Sequence, residues 1–226
     1  MVNFIKSEEI PACLAIEKSK PNSENYRCGN VVEKVAIDFK DKCYLCEDKN
    51  ITSINVERFE PHKGDRHRMF DWQNLFFACF YCNNLKMGDE KPLLDCTDAN
   101  VNILASIDLR VDMMRLPEIH FIVTPIFEDE KTRNTAELLY KIYNGKEKPT
   151  PLKKRGAFNL RKKVIENLND FDDLIQEYRQ GIVSREFVKN KIKKELQISS
   201  AFTAFKVCLI RSNNELYQEF SQYIPA

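Results

Sequence analysis

The spacing of apolar positions changes along this chain. Over 51–59 they alternate loosely, with Ile54, Val56 and Arg58 on one face, which predicts a strand. Pro61 ends it, because proline cannot donate a ladder hydrogen bond. The polar stretch 63–71 reads as a loop. Leu75, Phe76 and Phe77 mark a short buried strand over 72–78, and 79–86 turns into a helix. The predicted order is strand, loop, strand, helix. Ahead of it, Asn30-Val31-Val32-Glu33 has the spacing of a capping box, with Val31, Val35 and Phe39 on one face of the helix it opens.

The later chain is mostly helical in period. Residues 92–130 are irregular apart from a strand predicted over 119–123. Leu138, Leu139 and Ile142 then form a stripe ended by Gly145. A long amphipathic helix follows over 156–180, through Leu160, Val164, Leu168, Phe171, Leu174, Ile175 and Tyr178, and two more helices over 184–196 and 200–222. The Lys- and Pro-rich stretch 146–155 reads as a linker. The fold class is therefore α+β: a strand–strand–helix core ahead of a largely α-helical carboxy-terminal part. It divides into an amino-terminal segment and helix (1–42), the core (43–100) and a helical region (101–226).

Cysteine spacing changes this picture most. Cys43/Cys46 and Cys79/Cys82 are Cys-x-x-Cys pairs at the two ends of the core. Two such turns supply four sulfurs to one tetrahedral zinc ion, and a closed four-sulfur shell is structural. Cys13, Cys28, Cys96 and Cys208 are scattered and read as small buried hydrophobes. No run approaches the ~18–20 apolar residues that span a bilayer. The amino terminus lacks the pattern of a signal peptide. With paired cysteines of zinc type, these features predict a cytoplasmic protein.

The net charge of +1 excludes binding of nucleic acid by bulk charge alone. Local basic residues remain. Lys63, Arg66 and Arg68 lie between the two cysteine pairs, with Lys86 just beyond, and these four are the expected nucleic-acid contacts.

The core also holds hard-metal and proton-transfer chemistry. Glu57 on the first strand and Asn83 at the start of the helix are oxygen donors suited to Mg2+ or Mn2+. Such an ion could stabilise the leaving oxygen of a phosphodiester, and a neutral histidine could deprotonate water. Asn74 is placed to bond backbone across the loop. His67 and His120 lack motif residues beside them and read as ordinary.

The segments Trp72-Gln73-Asn74-Leu75 and Cys79-x-x-Cys82-Asn83-x-x-Lys86 resemble the zinc-stapled HNH endonucleases, whose fold is a ββα-metal core. In that family an acidic residue on the first strand is followed at once by the catalytic histidine. Glu57, Asn74 and Asn83 match the family's positions, but Arg58 stands where the histidine would be. Either His62, just past Pro61, acts as the base, or the base is lost. Arginine can bind phosphate there but cannot deprotonate water.

Further segments, CYLCE, VERFEPHKGD, FDWQNLFFAC, LLDCTD, NTAELLYKIYNG and AFTAFKVCLIRSNNEL, are similar to the HNH nuclease of Septu anti-phage defence (PtuB-like). That resemblance implies an ABC-type (PtuA-like) ATPase partner. In retron-linked systems it also implies a reverse transcriptase with its msDNA. The implied substrates are DNA, or RNA such as tRNA. The helices carrying Phe202, Phe205, Val207 and Leu209, core by their own pattern, become a docking face for the ATPase under it. Three functions stand open on the sequence: a metal-dependent endonuclease, a catalytically silent nucleic-acid-binding adaptor, and a purely structural zinc module.

Overall fold

The computed structural model describes residues 1–49, 51, 53–87, 90–112, 119–145 and 150–225, with the backbone alone at 152 and 153. The fold is mixed α+β with two small antiparallel sheets. The amino-terminal segment forms α1 (Ala12–Ser19) and α2 (Val31–Asp38). The expected capping box is absent, since Asn30 makes no side-chain cap bond. Two consecutive left-handed residues, Lys40 and Asp41, both at φ 57, turn the chain into the first cysteine pair.

The core unit is β1 (Ile54–Arg58), β2 (Leu75–Cys79) and α4 (Phe80–Lys86). The strands pair so that Glu57 faces Phe76 and Arg58 faces Leu75. The connection is more ordered than its polarity predicts. Asp65 caps the single turn α3 (Arg66–Met69), and Asp71 caps a 3-10 turn over Trp72–Asn74. Residues 72–74, expected in the second strand, belong to that 3-10 turn. Lys6 braces it from the amino-terminal segment. Its ammonium donates to the Trp72 and Leu75 carbonyls and lies 4.0 Å from the centre of the Trp72 ring. Burial pushes its pKa down to about 8.

The stretch 92–130 holds the strand expected over 119–123, as part of β4, and more regular structure besides. It contains α5 (Ile103–Ser106) and a hairpin of β3 (Ile107–Asp112) and β4 (His120–Pro125). Next come α6 (Glu130–Asn144), ended by Gly145 at φ 86, and α7 (Pro151–Gln180). Of the expected linker, 146–149 lie outside the described residues and the rest opens α7. The helix α8 (Arg185–Glu195) is followed by α9 (Thr203–Ser212) and α10 (Asn214–Phe220). The single helix expected over 200–222 is split at Asn213, which leaves helical geometry to cap α10 by accepting from the Leu216 N–H.

One apolar core contains buried residues from all three sequence segments, among them Phe4, Phe39, Phe76, Tyr143 and Phe205. Phe202, Phe205 and Val207 are buried in it and Leu209 is half-buried. The docking face drawn through these residues is therefore corrected, because their side chains are already covered. The four scattered cysteines also divide. Cys96 and Cys208 are buried thiols, but Cys13 and Cys28 form a disulfide that ties α1 to the turn before α2.

Several ties bind the helical part to the turn of the first cysteine pair. The Tyr143 hydroxyl donates to the Cys46 carbonyl at 3.2 Å. A buried Lys42–Glu47 ion pair at 3.0 Å also holds the Ile198 carbonyl at 2.9 Å, and Glu47 accepts from the Met1 ammonium at 2.9 Å. Burial alone would raise the Glu47 pKa. The two ammonium groups outweigh it and hold the carboxyl down at about 2.

At Gly156, α7 packs tightly against Tyr81 of α4. A Cβ there would lie 2.5 Å from the Tyr81 ring. Gly156→Ala gains ~1 kcal/mol of helix propensity but overpacks this contact by about 1–3 kcal/mol. A net loss of stability is expected in denaturant unfolding. Unchanged or higher stability would show that Tyr81 yields freely.

Candidate metal staple and adjoining cleft

The four paired cysteines converge. Their sulfurs all lie within 4.8 Å of one another and all four residues are buried. Local backbone bonds explain why. The turn after α2 closes with the Glu47 N–H on the Cys43 carbonyl at 2.9 Å and the Cys43 N–H on the Asp48 carbonyl at 3.0 Å. The Tyr44 N–H then fastens this turn to the Phe77 carbonyl of β2 at 3.0 Å. On the other side Cys79 ends β2 and caps α4, its sulfur accepting from the Cys82 N–H at 3.4 Å.

The donor set fits a thiophilic ion. Burial pushes the Cys46 and Cys82 thiols well up, while hydrogen bonds from Cys43, Cys46 and Cys82 hold the Cys79 thiol well down. Four buried sulfurs that converge on one point match the shell of a structural zinc ion, which binds thiolates and would displace the thiol protons. Among the described residues no other group of three or more His, Cys, Asp and Glu side chains converges.

Beside the staple lies a cleft of about 480 Å³. Glu57, Arg58, His62, Lys63, Asn83 and Lys86 line it together with Tyr26, so six of the sequence-predicted residues share one cavity. Asn74, Arg66 and Arg68 do not line it.

Glu57 is nearly buried at 5% exposure. Its Oε1 accepts from the Tyr44 hydroxyl and from Lys86 Nζ, the latter at 2.9 Å. Burial raises its pKa, against the opposing pull of Lys86 and Tyr44. Lys86 also donates to the Phe59 carbonyl at 2.6 Å and the Arg58 carbonyl at 3.3 Å. The expectation that Lys86 contacts nucleic acid is thus corrected: its ammonium is buried and fully engaged inside the protein.

Arg58 extends into the cleft with its guanidinium carbon 4.5 Å from the centre of the Tyr26 ring. His62 is half-buried on the same rim, and its Nδ1 is 3.2 Å from the Gly64 N–H, which donates to it. That bond assigns the proton of the neutral ring to Nε2. To accept a proton at Nδ1, the ring must release Gly64. Asn83 faces the cleft from the first turns of α4.

Asn74 holds the loop closed. Its Oδ1 accepts from the Glu60 N–H at 2.7 Å, and its Nδ2 donates to the carbonyls of Glu60 at 2.9 Å and Arg68 at 3.2 Å. Arg66, expected at nucleic acid, instead spans the carbonyls of Glu17, Lys18, Lys20, Pro21 and Ser23 at 2.6–3.3 Å. Both terminal nitrogens are taken up by these carbonyls, so the paired donors that would grip a phosphate are spent inside the protein and that expectation is also corrected. Arg68 is exposed and faces Glu60 at 3.5 Å, and Lys63 pairs with Glu90 at 2.7 Å.

Sequence reasoning missed Tyr44 and Tyr26. Tyr44 sits inside the first Cys-x-x-Cys pair, where a large aromatic hints at burial rather than solvent exposure. Tyr26 lies outside every motif and carries no such signal. No protein-family model matches this chain, and no curated protein matches it.

The Glu57–Lys86 pair makes a pH-dependent prediction. Lys86→Met leaves a buried carboxyl without its cation, a loss of about 3–5 kcal/mol for a broken buried pair. Glu57, whose pKa is already raised, then rises further. Protonation at low pH removes the unpaired charge, so the stability deficit relative to wild type is full at alkaline pH and shrinks as pH falls. Urea unfolding of both proteins at pH 8 and pH 5.5 measures it. An equal deficit at both would contradict the pairing.

Proposed function

We propose that this chain is a metal-dependent endonuclease of the HNH type that cleaves phosphodiester bonds of DNA or RNA. The observation that carries the reading is the single cleft holding Glu57, His62 and Asn83 beside Arg58, against a strand–strand–helix unit joined by four thiols. Zinc fits the thiols as a staple. Glu57 and Asn83 would hold Mg2+ or Mn2+, which supplies charge neutralisation at the leaving oxygen. His62 releases Gly64 and takes the proton of the attacking water at Nδ1. Arg58 binds a non-bridging phosphate oxygen, and Asn74 keeps the loop bearing His62 in register. The near-neutral charge supports a nuclease that reaches its substrate with a partner. In this reading the partner is an ABC-type, PtuA-like ATPase of an anti-phage defence complex. In a retron-linked setting a reverse transcriptase and its msDNA join it.

One observation favours a second reading, a nucleic-acid-binding subunit without catalysis. Glu57 Oε1 is already held by Lys86 and Tyr44, and arginine occupies the position that follows it.

The two separate in a cleavage assay on DNA and RNA, with and without the co-expressed ATPase. The nuclease reading expects magnesium- or manganese-dependent cutting that falls by about 10²–10⁴ in His62→Ala. Unchanged cutting by His62→Ala would remove His62 as the base. Binding without cutting, with cleavage appearing only in Arg58→His, establishes the silent subunit. No binding and no cutting under any condition leaves a structural module.

A further inference from the structure

The amino-terminal segment contributes to the cleft lining through Tyr26. Two guanidinium groups attend that ring. Arg58 lies 4.5 Å from its centre and Arg27 lies 5.4 Å from it. Arg27 also donates to the Tyr26 hydroxyl at 3.3 Å and to the Val56 carbonyl of β1 at 3.2 Å. Among the described residues, neither arginine forms an ion pair with a carboxylate. The nearest acidic side chain in sequence, Glu57, is taken by Lys86.

Two like charges on one ring repel, and an anion between them relieves the repulsion. Stacking on an aromatic face also leaves the edge of a guanidinium free to donate in pairs, the geometry that matches phosphate oxygens. The loop bearing Tyr26 is held in place from both sides. The Cys13–Cys28 disulfide closes it at one end, and Arg66 gathers the carbonyls of Pro21 and Ser23 within it.

We infer that Tyr26 is a positioning residue for phosphate binding, holding the Arg58 guanidinium ready for the backbone phosphate of a nucleic acid, with Arg27 as the second cation. The inference rests on the nucleic-acid reading of the cleft and adds a residue and a loop to it. Arg58 is the group that touches the phosphate. Tyr26 acts through Arg58.

The test is binding of a short labelled single-stranded oligonucleotide across a salt series, without added magnesium or manganese, alongside binding of pyrophosphate. Zinc content checks that each variant is folded. Arg58→Ala is expected to weaken oligonucleotide binding about tenfold and to flatten the plot of log affinity against log salt by about one. Tyr26→Ala reproduces most of both changes, Tyr26→Phe restores wild-type binding, and the double variant Tyr26→Ala/Arg58→Ala binds no more weakly than Arg58→Ala alone. Additive losses in the double variant, or no rescue by phenylalanine, overturn the positioning role. Oligonucleotide binding that survives both alanine variants overturns the clamp while leaving the nucleic-acid reading intact. Pyrophosphate binding that depends on Tyr26, with no oligonucleotide binding, supports the clamp and overturns the nucleic-acid reading. Binding of neither overturns both.

Discussion

Four cysteine sulfurs join the turn after α2 to the end of β2 and the start of α4, and the cleft depends on that junction. Tyr44 lies between two of those cysteines. Its backbone N–H bonds β2, and its hydroxyl donates to Glu57 on β1. The staple therefore does more than close a small unit. It carries a side chain that fixes the buried carboxylate of the cleft. Displacement of the Cys43–Cys46 turn would move Tyr44 off Glu57 and leave a buried carboxylate with one partner fewer, an arrangement of high cost in a low-dielectric interior.

The second constraint is electrostatic. Glu57 and Lys86 are both buried, and each satisfies the other. Lys86 ends α4, so the pair ties that helix to β1 across the cleft floor, and its further bonds to Phe59 and Arg58 carbonyls fix the chain where it leaves the strand. Charge on the floor is thereby cancelled. Lys63 and Glu90 cancel in the same way, which leaves Arg58 in the cleft, and Arg27 beside Tyr26, without carboxylate partners among the described residues, an arrangement that favours an anion even though the chain is near neutral. Local arrangement rather than net charge decides what such a surface attracts.

Much of this was readable in the sequence where the signal is local. The two Cys-x-x-Cys pairs announce their sulfurs by spacing. The helical period of Leu138, Leu139 and Ile142, ended by Gly145, marks α6 closely. Asp65 and Asp71 are the kind of capping residue that opens a turn, yet both sit in a stretch whose polarity reads as loop. The strand over 119–123 was legible as β4, but its partner β3 escaped because Asp108, Arg110 and Asp112 interrupt the apolar positions Ile107, Leu109 and Val111, although that alternation is itself the strand period. Contacts distant in sequence left no trace at all. Nothing near Arg66 announces the carbonyls of the α1 end, nothing near Lys86 announces Glu57, and nothing pairs Cys13 with Cys28 before the chain is folded. A lysine or arginine in a basic cluster looks free until its long-range partners are known.

The central claim is that a single ion in a closed four-sulfur shell organises the unit bearing the cleft. X-ray absorption at the zinc edge on the purified chain tests it most directly. The account predicts one zinc per chain with four sulfur neighbours at about 2.3 Å and no nitrogen or oxygen in the first shell. A shell containing nitrogen or oxygen ligands, or a folded chain that carries no zinc, would contradict it.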